Sequence, residues 1–264
     1  MAYKNILVHL DQTTRSAARF NLALNLAKQQ QACLSAFYAT SMPYLYQTTE
    51  MRHRDQVRAD CAGHAFQAGV DFSWVPEVED MSHPPLISRL NYQSFFADLI
   101  LIGQPGADAG PPPAPPRDLP EKMILTSGRP VISIPFSGNF QRIGSRIMVA
   151  WRSGRASSRA VYDALPLLAQ AEKVHLLSFA TTKAEREQGE ETLKRLATFL
   201  EQHGAKTDRE SRLISGIGFG DALLNRVAEE GIDLLVAGGA LPSAPAPMAD
   251  QLLKQMTVPV LMSS

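Results

Sequence analysis

The sequence predicts two α/β domains in tandem, each a doubly wound, five-stranded parallel sheet. Three observations carry this: a repeat at long offset, alternating strand and helix patterns in each copy, and strands that read as unbroken apolar runs.

The repeat comes first, because missing one miscalls the whole fold. Asn5-Ile6-Leu7-Val8 matches Arg146-Ile147-Met148-Val149 at an offset of 141. The same offset pairs Ala23, Leu24 and Leu26 with Ala164, Leu165 and Leu167, and Tyr38-Ala39-Thr40 with Phe179-Ala180-Thr181. Further on, DLILIG at 98–103 matches DLLVAG at 233–238 at an offset of 135, and Pro130-Val131 matches Pro259-Val260 at 129. The shrinking offset places the length differences in loops. One such loop is GADAGPPPAPP at 106–116, whose prolines can join neither a helix nor a sheet ladder.

In the first copy, strands are predicted at 4–10, 32–40, 71–78, 98–103 and 130–136, with helices at 14–30, 48–68, 83–96 and 118–128. In the second, strands are predicted at 146–151, 173–181, 206–214, 233–238 and 258–263, with helices at 156–170, 184–203, 220–230 and 248–256. Runs such as DLILIG have no polar face, as expected of strands covered by helices on both sides. Five strands joined by helical crossovers make a parallel, doubly wound sheet. Such sheets bind ligands beyond the carboxyl ends of their strands, where the winding reverses. The domains are expected at 1–137 and 146–264, joined by SGNFQRIGS at 137–145.

Composition excludes several classes of function. The 264 residues carry 26 basic and 26 acidic side chains, so no net charge draws the chain towards nucleic acid or an anionic membrane. The apolar run in MAYKNILVHLDQ is too short for a signal-peptide core, and no stretch reaches the ~18 apolar residues of a membrane span. A cytoplasmic location is expected. Cys33 and Cys61 show neither metal-ligand spacing nor a disulfide framework.

The order of ILVHLD, DLILIG with its glycine-rich loop and PVISIP, echoed by RIMVAWRSG, DLLVAGG and VPVLMS, resembles the universal stress protein family over nearly the whole chain. The resemblance implies a tandem member with a Rossmann-like, adenine nucleotide alpha hydrolase-like fold in each half. It further implies an internal pseudo-dimer formed through the last strands, with a homodimer of chains as a further level of assembly.

ATP-binding members of that family use an aspartate after the first strand and G-x2-G-x9-G-[ST] after the fourth, a phosphate cradle of small residues and backbone N–H groups. Asp11 fits the aspartate, and Gly103 and Gly106 fit the first glycine pair. Arg117 and Asp118 stand where glycine and serine are expected. Asp118 with Glu121 reads as a variant capping box, whose carboxylate would repel a phosphate, whereas an inward Arg117 would offset it. In the second copy the offset of 141 replaces Asp11 by Arg152, and Pro247 removes a donor the cradle would need. Arg152, Arg155 and Arg159 suggest an anion site there, or arginines lying over a surface helix.

Other constellations point to structure. Gly216-Ile217-Gly218-Phe219-Gly220-Asp221 reads as a turn with Asp221 as helix N-cap, and Ser82-His83-Pro84-Pro85 as another helix start. Cys61 and His64 form the one local metal-ligand pair, and His9 and His175 are expected inside strands with polar partners. Met42-Pro43-Tyr44-Leu45-Tyr46 places aromatics near the mouth of the first sheet, to stack on a ligand or to pack. No G-x-S-x-G, H-E-x-x-H or P-loop lysine motif is present, so nothing supports a standard nucleophile or metal enzyme. The expectation is a stress-response protein that senses a small ligand or engages protein partners, with any nucleotide site confined to the first domain. ATP is the one cofactor candidate. Slow ATP hydrolysis in the first domain and a ligand-free interaction scaffold are the alternatives.

Overall fold

The apolar runs form the strands. A computed structural model of the chain describes residues 2–41, 48–76, 84–105, 114–239 and 247–264. The chain divides into two units, Ala2–Gln141 and Arg142–Ser264.

The first unit alternates β1 (Asn5–Leu10), α1 (Ser16–Gln30), β2 (Cys33–Tyr38), α2 (Thr48–Ala68), β3 (Phe72–Val75), α3 (Leu86–Ser94), β4 (Leu99–Gly103), α4 (Leu119–Thr126) and β5 (Val131–Ile134). Its strands lie in the order β3-β2-β1-β4-β5, every pairing parallel. Ile6, Val8, Leu34, Ala36, Leu99 to Ile102, Val131 and Ile132 are all fully buried, because helices cover both faces of the sheet.

The second unit alternates β6 (Arg146–Ala150), α5 (Arg155–Leu168), β7 (Lys173–Ala180), α6 (Lys183–Gln202), β8 (Thr207–Leu213), α7 (Phe219–Glu229), β9 (Leu234–Gly238), α8 (Pro247–Gln255) and β10 (Val260–Ser263). Within it the order is β10-β9-β6-β7-β8, again parallel throughout. β8 reads TDRESRL and leaves most of its side chains partly or fully exposed. Charge on a terminal strand of this kind discourages further strand pairing.

The aspartate that opens DLILIG and DLLVAG has the same task in both units. Asp98 Oδ2 accepts the Lys4 and Asn5 amides at 2.7 and 2.9 Å. Asp233 accepts those of Gly144, Ser145 and Arg146 at 2.9 to 3.2 Å. Each carboxylate satisfies amides at the entry to the neighbouring strand, so these residues serve the scaffold.

Two helix starts differ from expectation. Asp118 precedes α4 with φ −91° and ψ 8° and makes no side-chain cap. An N-cap needs extended backbone for its side chain to reach the first turn. Here a turn closed by the Leu119 amide on the Pro116 carbonyl leads in, and the Asp118 carboxylate pairs with Lys122 at 2.7 Å instead. Asp221 does not cap α7 either. Gly218 holds the cap position, and Asp221 lies in the first turn, accepting Gln251 Nε2 at 2.9 Å.

Candidate functional site

In the first unit the winding reverses between β1 and β4: the chain leaves β1 through α1 to β2 on one side, while β4 pairs on the other. The carboxyl ends of β1 and β4 therefore flank the crevice where such sheets take ligands. Asp11 follows β1 and Gly103 ends β4, so the structure brings these two expected residues to one place.

A third residue, Arg19 on α1, fills the space between them. Asp11 is 3% exposed and Arg19 4%, and Arg19 Nη2 donates to Asp11 Oδ2 at 2.7 Å. Arg19 Nε donates to the His9 carbonyl at 2.6 Å, which fixes the plane of the guanidinium. A Cβ added at Gly103 would lie 2.1 Å from Arg19 Nη1, so glycine is what leaves room for the arginine. Asp11 Oδ1 is also engaged, by the Thr13 amide at 2.9 Å and the Thr13 hydroxyl at 2.5 Å.

Burial pushes the Asp11 carboxyl up, but the Arg19 guanidinium and the Thr13 hydrogen bonds outweigh it and hold the group below its usual range. His9, 1% exposed, is pushed down to about 4 by burial, with Arg19 and Arg89 adding to the effect against the pull of Asp11. Its ring is neutral at physiological pH, and Nε2 donates to the Ala39 carbonyl at 2.9 Å. Both oxygens of the carboxylate are spoken for, and the histidine proton is committed. The cluster is built to hold Arg19, not to abstract a proton.

The other expected residues stand elsewhere. Gly106 and most of the proline-rich loop lie outside the described residues, as do Met42–Tyr46, Ser82 and His83. Arg117 is exposed on the turn before α4. In the second unit Arg152 and Arg155 are exposed, and Arg159 pairs with Asp163 at 2.8 Å. Gly238 ends β9 as Gly103 ends β4, but a Cβ there would meet the Ser157 nitrogen at 2.7 Å and the Ala156 carbonyl carbon at 2.9 Å. The first turn of α5 itself closes that crevice. At the offset of 141, Arg19 corresponds to Ala160, which is 1% exposed.

Cys61 is buried on α2 while His64 is exposed, so the two do not converge as ligands. Burial, with Asp60 adding, pushes the Cys61 thiol up to about 12. Among the described residues no group of three His, Cys, Asp or Glu side chains is placed to hold a metal ion, and no helix is long and apolar enough to cross a membrane.

Sequence reasoning missed Arg19, although a signal was present. On α1 the buried positions include Ser16, Arg19, Phe20, Ala23, Leu26 and Ala27. An arginine on the apolar stripe of an amphipathic helix calls for a buried counter-charge. Asp11, two turns upstream, is the carboxylate within reach.

No protein-family model and no curated protein sequence matches the chain. Among solved structures it is similar to a universal stress protein from Archaeoglobus fulgidus, with a TM-score of 0.77 at 12% identity, over 98% of this chain and 96% of the other. Shorter similarities link it to a protein from the universal stress protein family of Burkholderia pseudomallei, at 22% identity and a TM-score of 0.38 over 44% of this chain and 92% of that one. UspA from Lactobacillus plantarum is similar at 15% identity and a TM-score of 0.39, over 45% and 96%. The full-length likeness shows that the chain has the α/β, Rossmann-like fold of a universal stress protein.

Proposed function

We propose that the chain is a tandem universal stress protein-like binding protein, with domains at 1–137 and 146–264, whose first-domain nucleotide crevice is closed from within by Arg19. On this reading it is a cytoplasmic, non-enzymatic stress-response protein that acts by sensing a small ligand or engaging a protein partner.

The observation that carries the reading is the buried pair of Arg19 and Asp11 seated against Gly103. A nucleotide held by Asp11, Gly103, Gly106 and Arg117 would have to expel the guanidinium and leave a buried carboxylate. Breaking a buried pair in this way costs about 3–5 kcal/mol. That is a loss of roughly 10²-fold to several thousandfold in affinity, enough to turn a micromolar site into a millimolar one. Slow ATP hydrolysis needs the same displacement before it can begin.

Thermal denaturation of the purified chain with ATP, AMP and phosphate tests this. No stabilisation is expected at millimolar ATP. Stabilisation that disappears in Asp11→Ala would overturn the reading and install ATP in the first domain. The phosphate arm, repeated in Arg152→Ala, tests an anion contact in the second domain. If no small molecule shifts the transition, the ligand-free scaffold becomes the better form of the reading.

A further inference from the structure

Outside the crevice, a cluster of ionised side chains surrounds His175 in the second unit. His175 stands on β7 in register with Asp208 of β8 and Met148 of β6. Its side chain is 9% exposed, with Nδ1 3.0 Å from Asp208 Oδ1 and 3.7 Å from Glu230 Oε2, just beyond α7.

Both carboxylates are already matched by cations. Lys173 Nζ lies 2.8 Å from Asp208 Oδ2, and Arg146 Nη2 lies 3.8 Å from Glu230 Oε2. Arg226 of α7 bridges Glu230 at 2.7 Å and Glu210 of β8 at 2.9 Å. Arg226 also meets Glu229 at 3.2 Å, which Arg212 meets at 3.9 Å, so Lys173, Arg146, Arg226 and Arg212 balance Asp208, Glu230, Glu210 and Glu229 without any charge on the imidazole. His175 Nε2 is buried and has no hydrogen-bond partner.

The neutral ring fits this arrangement: Nδ1–H donates to Asp208, and Nε2 presents only a lone pair. Protonation would bury an N–H donor with no acceptor, which is far less tolerable than an idle lone pair.

We propose that His175 is an acid-sensitive latch, which while neutral holds the terminal strand β8 and helix α7 against β7 and on protonation releases them. Burial lowers the affinity of the imidazole for a proton below its ordinary value of 6.5, with Lys173 and Arg146 acting in the same direction against Asp208 and Glu230. The unfolded segment therefore takes up the proton first. The contribution of the neutral ring to the stability of this segment is full above pH 6.5 and is lost as the pH falls towards the folded-state value.

Amide hydrogen exchange on the full chain between about pH 8 and pH 5.5, expressed as protection factors, tests the latch, read beside the titration of the His175 ring proton by NMR. Protection in Thr207–Leu213 and Phe219–Glu229 is expected to fall by up to about tenfold per pH unit below 6.5, while Leu234–Gly238 stays protected. In His175→Gln, which cannot take up a proton, the fall should be absent. An unchanged fall in His175→Gln, or a ring that titrates at or above 6.5, overturns the proposal. If His175→Gln does not fold, the wild-type data still decide: the ring titration and the loss of protection must share one midpoint.

Discussion

Arg19→Ala is expected to lower the stability of the chain by about 3–5 kcal/mol at neutral pH, measured by urea denaturation. The substitution removes the cation paired with Asp11, which is 3% exposed and cannot turn to water. Adding Asp11→Asn should recover part of the loss, because an amide can be buried where an unpaired carboxylate cannot. Arg19→Lys should not rescue it. One ammonium cannot reach both the His9 carbonyl and Asp11 in the fork that Nε and Nη2 provide.

Acid supplies an independent sign. In the wild type the folded-state value of Asp11 lies below its ordinary 3.8, so the contribution of the pair is complete above that pH and is lost as the pH falls through the folded value. In Arg19→Ala the strongest opposition to burial is gone while the Thr13 hydrogen bonds still favour the charged form, so the carboxyl rises and protonation relieves the variant at a pH where it has not yet touched the wild type. The gap between the two urea midpoints should narrow as the pH drops from about 7 to about 4.5. A gap that stays constant would mean that Arg19 contributes through packing alone.

Gly238→Ala is expected to destabilise the second unit by about 1–3 kcal/mol or more, by the overpacking its new methyl group imposes. The methyl would stand 2.7 Å from the Ser157 nitrogen and 2.9 Å from the Ala156 carbonyl carbon. Both are backbone atoms in the first turn of α5, so relief requires the helix to move. Gly103→Ala provides the contrast, since its obstacle is the tip of a side chain, 2.1 Å away. In a double-mutant cycle the effect of Gly103→Ala should shrink once Arg19 is alanine. No single side-chain truncation should do the same for Gly238→Ala.

What the sequence made legible follows from what repeats. Apolar runs such as DLILIG and DLLVAG are what strands covered on both faces require, and their recurrence in order located each strand and helix to within a few residues. Even TDRESRL, with no apolar face, was found as a strand because its counterpart and its place in the alternation required one. The site was legible only in part. Asp11 and Gly103 were found by motif, but the partner that unites them was hidden inside a helix whose surrounding residues are ordinary core. The caps failed for a local reason. Asp118 and Asp221 have suitable side chains, but a cap depends on the backbone angles of one residue, and Lys122 and Gln251 offered these carboxylates other partners.

The strand-ending glycines Gly103 and Gly238 set different distances to a new activity. In the first unit the obstruction is one side chain, so a single codon change at position 19, with the charge of Asp11 matched by an incoming cationic group, would open a cavity lined by an existing carboxylate. In the second unit no codon change at one position can do this, because the obstruction is main chain. Selection or design for a new ligand would therefore find its shortest route through the first unit, and Gly103 would have to stay glycine along the way.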